Sequence, residues 1–225
     1  MRHTTTLSAA LMVSAAGTAS ASLLVNGGFE SGAVAGVPVG HGYTPAPWTS
    51  TAPGNSFINW DTFENTGTTG LPPNYVGLFT GATAPQGVRF AGGWNFEEMG
   101  QLLGSALTPG STYSIGAWVR PINAHPPSSF EFYIGTGPGS PVSLVATFPM
   151  VSAGSWTAQS TSFVAPLNAA ANPWFIIKAY SVAADGTPRQ VYVGIDDVVL
   201  DLVPAPGSAA LLGIAGVLTV RRRRR

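Results

Sequence analysis

Tyr113-Ser114-Ile115-Gly116-Ala117-Trp118-Val119-Arg120 alternates with a period of two and is closed by Pro121. Alternation at that period marks a half-buried strand, and proline cannot donate to the next rung of a ladder. The stretch therefore predicts a strand with Ile115, Ala117 and Val119 facing a core and Trp118 and Arg120 facing away. Phe130-Glu131-Phe132-Tyr133-Ile134 repeats the pattern ahead of a glycine-rich turn. Further strands are expected over Ser143–Phe148, Thr157–Val164, Trp174–Val182 and Gln190–Leu202, with turns at Pro109-Gly110 and Asp185-Gly186. No helical spacing runs uninterrupted by Gly or Pro between Ser22 and Leu202. Short strands at such intervals predict an all-β sandwich or barrel.

Composition agrees. Charged residues make up only 9% of the chain, whereas Gly (28) and Pro (19) are abundant, which suits strands and turns and not helical bundles. The formal net charge of zero conceals an asymmetry. Arg221–Arg225 and Arg2 hold six of the ten basic residues, leaving Arg89, Arg120, Lys178 and Arg189 against all ten acids. The body is acidic, which excludes a phosphate-backbone partner such as nucleic acid. Cysteine is absent, so no disulfide supports the domain, and burial alone must stabilise it.

Both ends read as export signals. Met1-Arg2-His3 is a short basic start, Leu7–Val13 is apolar, and Ala19-Ser20-Ala21 has the small-x-small pattern that signal peptidase cuts. A secretory signal over 1–21 is expected, cleaved after Ala21, with a β-sandwich domain over 22–202. The segment 203–225 opens with Val203-Pro204-Ala205-Pro206-Gly207, continues almost wholly apolar to Val220 and ends in five arginines. The prolines stop the last strand, and a short helix is expected over 207–220. It would be roughly 20 Å long at about 1.5 Å per residue, short of a hydrocarbon core about 30 Å thick. The arginines 221–225 would stay on the cytoplasmic side and leave the body outside.

This order of Pro-x-Pro, apolar helix and arginine cluster resembles the PEP-CTERM sorting signal of bacteria. The resemblance implies processing by an exosortase near Pro204-Ala205-Pro206-Gly207, with Arg221, Arg222 and Arg223 in the retained cluster. Ala205 stands where the family has Glu. A plain tail anchor is the alternative.

Three segments of the body resemble the galactose-binding-like jelly roll of many carbohydrate-binding modules: Leu24-Val25-Asn26-Gly27-Gly28-Phe29-Glu30-Ser31-Gly32, Gly100–Tyr113, and Val191–Leu200 with its Asp196-Asp197 pair. The resemblance implies a jelly-roll β-sandwich in which the opening and closing segments lie side by side and hold a structural Ca²⁺. Its oxygens would come from Glu30, Asp196 or Asp197 and backbone near Gly28, meeting the demand of Ca²⁺ for six to eight oxygens. A turn-capping Glu30 beside a solvated Asp is the alternative.

A ligand face is expected opposite the core stripes. With Ile115, Ala117, Val119, Phe130, Phe132, Ile134, Phe175, Ile177 and Ala179 inside, the opposite positions are Trp118, Arg120, Glu131, Tyr133, Trp174, Lys178 and Tyr180. Aromatic rings stack on sugars, and Arg, Lys and Glu hydrogen-bond hydroxyls. The same aromatics would form a satellite core if long loops covered them. The segment from Gly40 to Gly93, with Trp48, Trp60, Phe63, Tyr75 and Phe79, reads as loops at the rim.

Catalytic signatures are missing. There is no nucleophile elbow and no phosphate-binding loop, and His41 and His125 lie in Pro/Gly segments. Glu97-Glu98 is a poor glycosidase dyad, since neighbours on a strand point apart, although Glu64 or Glu131 remains an alternative partner. The expectation is an exported surface or matrix protein that binds carbohydrate without catalysis, exopolysaccharide being the suggested ligand. A structural or adhesive spacer, or a hydrolase, is the alternative.

Overall fold

The computed structural model describes residues 22–30, 46–51, 61–64, 84–122, 124–150, 155–188 and 191–204. The N-terminal signal, expected as a helix, the helix expected over 207–220 and the processing residues Ala19, Ala21, Ala205–Gly207 and Arg221–Arg223 lie outside these. Among the described residues no helix is long and apolar enough to cross a membrane.

Among the described residues, ten strands form two five-stranded antiparallel sheets: β1 (Thr49–Thr51), β2 (Asp61–Glu64), β3 (Arg89–Gly93), β4 (Glu98–Leu102), β5 (Thr112–Pro121), β6 (His125–Gly135), β7 (Pro141–Pro149), β8 (Thr157–Val164), β9 (Trp174–Val182) and β10 (Val193–Leu202). Sheet A has the order β1-β4-β9-β6-β7, and sheet B the order β2-β3-β10-β5-β8. The arrangement is an all-β jelly-roll sandwich, and Ala21–Val203 form one compact unit.

The period-two pattern places the core as expected. Along β5, residues alternate between buried and half-buried from end to end. Ile115, Ala117 and Val119 from sheet B meet Phe130, Phe132, Ile134, Phe175, Ile177 and Ala179 from sheet A in one cluster. Phe132 sits at its centre, edge-on to Phe148 at 4.7 Å between ring centroids and 5.8 Å from Phe175.

Two expectations change. The described parts of the segment 40–93 include strands β1, β2 and β3. Trp48 is buried against Phe29 at 5.6 Å, and its indole N–H donates to the Asn26 carbonyl at 3.0 Å. Trp60, Tyr75 and Phe79 lie outside the described residues. The last strand is also not a plain alternation. A bulge between Asp196 and Val199 puts Asp197 in the left-handed region at φ 49°. The extra residue returns Val198 and Leu200 to the core, which an unbulged strand could not do after Ile195. The bulge is clamped by the opening segment: the Val198 N–H donates to the Gly27 carbonyl at 2.9 Å. A Cβ on Gly27 would stand 1.9 Å from the Val198 carbonyl oxygen, so this approach requires glycine.

Candidate functional site

The pairing of strands decides which outward residues share a face. In sheet A, Glu98 of β4 lies opposite Lys178 of β9, and Lys178 lies opposite Glu131 of β6. Lys178 Nζ is 3.4 Å from Glu98 Oε1, and Glu98 Oε2 accepts the Gly139 N–H at 2.7 Å. The second bond draws the β6–β7 connection over one side of this face. Tyr133 donates its hydroxyl to Glu131 Oε2 at 2.6 Å. Burial, reinforced by that bond to a carboxylate, holds the Tyr133 hydroxyl protonated well above its ordinary range.

Next to this polar row stand two aromatic rings. Phe96 and Tyr180 are 6.1 Å apart between centroids, and Lys178 Nζ lies 5.6 Å from the Phe96 ring centre. Phe96 is 46% exposed and sits at φ 69° in the turn that leads into β4. The turn is closed by the Glu97 N–H to the Trp94 carbonyl at 3.1 Å and by the Trp94 N–H to Glu97 Oε2 at 2.7 Å. A bulky residue in the left-handed region costs about 1–3 kcal/mol. Glu97 and Glu98 therefore diverge, one into the turn and the other onto the sheet.

Trp118 and Arg120 do not join this face. Both point outward from β5, which belongs to sheet B, so the core separates them from Glu131, Tyr133, Lys178 and Tyr180. The stripe on each strand was legible, but which sheet each strand enters was not. Trp118 lies opposite Asp196, and Arg120 lies opposite Gly194. Burial lowers the Arg120 pKa from its usual value, and its Nε is buried without a hydrogen-bond partner among the described residues. On that outer side Phe90, Trp94 and Tyr192, with Ile122 and Trp156, form a separate small apolar cluster. None of the outward aromatics Trp118, Tyr133, Trp174 and Tyr180 belongs to it.

The carboxylate corner lies at the β10 bulge. Asp196 is fully buried; its Oδ1 accepts the Asp197 N–H at 2.7 Å and its Oδ2 accepts the Gln86 N–H at 3.2 Å. Burial pushes its pKa up to about 7; the two hydrogen bonds oppose the shift, and the charges of Asp197 and Glu30 add to it. Glu30 Oε1 accepts the N–H groups of Val88 and Arg89 at 2.7 and 2.8 Å. A Cβ on Gly28 would lie 4.0 Å from Asp196 Oδ1, which places that backbone beside the carboxylate. The resemblance-derived residues Gly28, Glu30, Asp196 and Asp197 thus come together. Among the described residues, however, no group of three or more His, Cys, Asp or Glu side chains is arranged to hold a metal ion.

Phe96 and Glu98 are the members of the sheet A face that sequence reading missed. Phe96 belongs to no strand stripe, and only the β4–β9 register carries it to Tyr180.

The two sheets define an antiparallel jelly-roll sandwich, and comparison with known proteins bears on that fold alone. No protein-family model and no curated protein matches the chain. Among solved structures, it is similar to a cyclase from Fischerella sp. TAU (16% identity, 80% of this chain and 95% of that chain, TM-score 0.53). It also matches the module TmCBM61 in complex with β-1,4-galactotriose (14% identity, 82% and 100%, TM-score 0.46). A third match is the CBM22-1–GH10 part of xylanase 10B from Clostridium thermocellum with xylohexaose (19% identity, 74% of this chain and 28% of that chain, TM-score 0.45).

Proposed function

We propose that this chain is an exported, non-catalytic carbohydrate-binding protein whose ligand lies on the outer face of sheet A. Signal peptidase removes 1–21, and an exosortase-type enzyme processes the PEP-CTERM-like tail at the cell envelope. The body then faces extracellular polysaccharide. The observation that carries the binding reading is Phe96, an exposed ring held in a costly backbone conformation beside Tyr180 and the Glu98–Lys178–Glu131–Tyr133 row. An apolar ring is rarely held exposed at such cost without a use. A sugar ring can stack on Phe96 or Tyr180 while its hydroxyls reach the Glu131 carboxylate and the Lys178 ammonium. Structural Ca²⁺ at the Asp196 corner completes the reading; the ion would stabilise the bulge and take no part in binding sugar.

Retention on an array of neutral polysaccharides tests the proposal. Phe96→Ala should abolish saturable retention, and Trp118→Ala, on the other sheet, should leave it intact. If Phe96→Ala is retained as well as the parent, the face is wrong. No retention of the parent on any glycan favours the structural-spacer reading.

A further inference from the structure

Charge is segregated between the two ends of the strands. The β4–β5, β6–β7 and β8–β9 connections (103–111, 136–140 and 165–173) all lie at one end. Hydrogen bonds tie the connections to their neighbours there: Leu103 N–H to the Pro173 carbonyl at 3.0 Å, Ala165 N–H to the Ser111 carbonyl at 2.8 Å, and Ser143 Oγ to Asn168 Oδ1 at 3.3 Å. None of these connections contains a charged residue. No Asp, Glu, Lys, Arg or His occurs between Glu131 and Lys178, nor between Glu98 and Arg120. Among the described residues, the one carboxylate seen to reach them is buried Glu98, which accepts the Gly139 N–H at 2.7 Å and is paired with Lys178 at 3.4 Å.

The same end carries most of the exposed aliphatic side chains. Leu102, Val142, Val164, Leu202 and Val203 are exposed at strand ends, and Leu167 projects from the β8–β9 connection at 90% exposure. Half-buried Trp174 stands directly opposite Leu102. A soluble surface this free of charge and this studded with aliphatics marks an interaction site. The chain leaves the domain at this end, through Val203-Pro204, into the apolar run and the five arginines.

We infer that this end of the sandwich docks on a lipid bilayer surface. A bilayer asks of its partner what this end offers: aliphatic side chains to enter the interfacial region, a tryptophan at the boundary, and connections that carry no charged residue. The chain continues from this end through Pro204 into the apolar run, and the terminal arginines suit anionic headgroups. Docking by this end would hold the domain upright and leave the outer face of sheet A open to the side. The inference rests on the proposed membrane entry of 207–220.

Because the chain has no cysteine, one introduced thiol labels a single place. Full chains carrying Leu167→Cys or, at the opposite end, Ala184→Cys are labelled with an environment-sensitive nitrobenzoxadiazole. They are then mixed with phosphatidylethanolamine–phosphatidylglycerol vesicles containing doxyl-labelled lipid. The label at 167 should shift to shorter wavelength and be quenched at least twofold, while the label at 184 keeps its emission. Vesicle flotation without quenching at 167 overturns the docking and leaves the tail reading standing. Failure to float overturns both. A shortened wavelength at 167 without lipid quenching points to contact between copies and also overturns the docking.

Discussion

Replacing Asp196 by Asn probes the buried corner most sharply. In the fold its carboxyl has a pKa of about 7 against an ordinary value of 3.8. At about 1.4 kcal/mol per unit, ionisation costs the folded state at most about 4 kcal/mol. Because the folded value lies above the unfolded one, the stability due to the neutral carboxyl is complete below about pH 3.8. It is lost as the pH rises through 7. Asp196→Asn abolishes that loss, but its amide has one acceptor oxygen for two backbone donors, the Gln86 and Asp197 N–H groups. Leaving one donor unsatisfied costs about 1–2 kcal/mol. In chelator at pH 8 the variant should therefore be more stable by about 2 kcal/mol, a rise in Tm of roughly 4–8 °C for a domain of this size. At pH 4.5 the parent should be the more stable, since a protonated carboxyl keeps both oxygens as acceptors. Calcium at pH 8 should raise the Tm of the parent and not that of the variant. Thermal melts of both proteins at the two pH values, with chelator and with Ca²⁺, decide the matter. A parent–variant difference that does not change between pH 4.5 and 8 would refute the reasoning about burial. A calcium-insensitive parent would remove the ion alone.

Other outcomes follow from single contacts. Phe96→Ala should lower retention on a bound polysaccharide more than tenfold while leaving Tm nearly unchanged, because the exposed ring makes no core contact and the alanine Cβ keeps the left-handed backbone cost as it was. Gly27→Ala should lower stability by 3 kcal/mol or more in denaturant titration, since the new methyl meets the Val198 carbonyl oxygen and the bulge must shift to admit it. Phe132→Ala should cost about 3–5 kcal/mol in the same titration, its ring being buried between Phe148 and Phe175.

The period of two on β5, β6 and β9 was enough to name the buried face of each strand, because burial acts on one residue and its neighbours at i±2. It also marked Thr157–Val164 and Trp174–Val182 to the residue. It missed β1, β2, β3 and β4, whose short runs carry no clear alternation and where pairing to a neighbour makes the strand. The Asp196-Asp197 bulge was equally hidden, since nothing local announces which residue takes the left-handed conformation.

What the sequence by itself determined is the set of outward residues on β5, β6 and β9, the lack of disulfides and the acidic body between two apolar ends. Which outward residues work together was decided only by the tertiary structure. Strand order sends β5 into one sheet and β6 and β9 into the other, so Trp118 and Arg120 part from Glu131, Tyr133, Lys178 and Tyr180. The β4 register brings Phe96 and Glu98 to them instead. Charge segregation along the domain has the same origin: residues far apart in the chain share an end because antiparallel strands return their connections to it. Side-chain direction is a local property, readable from order along the chain; juxtaposition depends on long-range pairing, which local pattern does not encode.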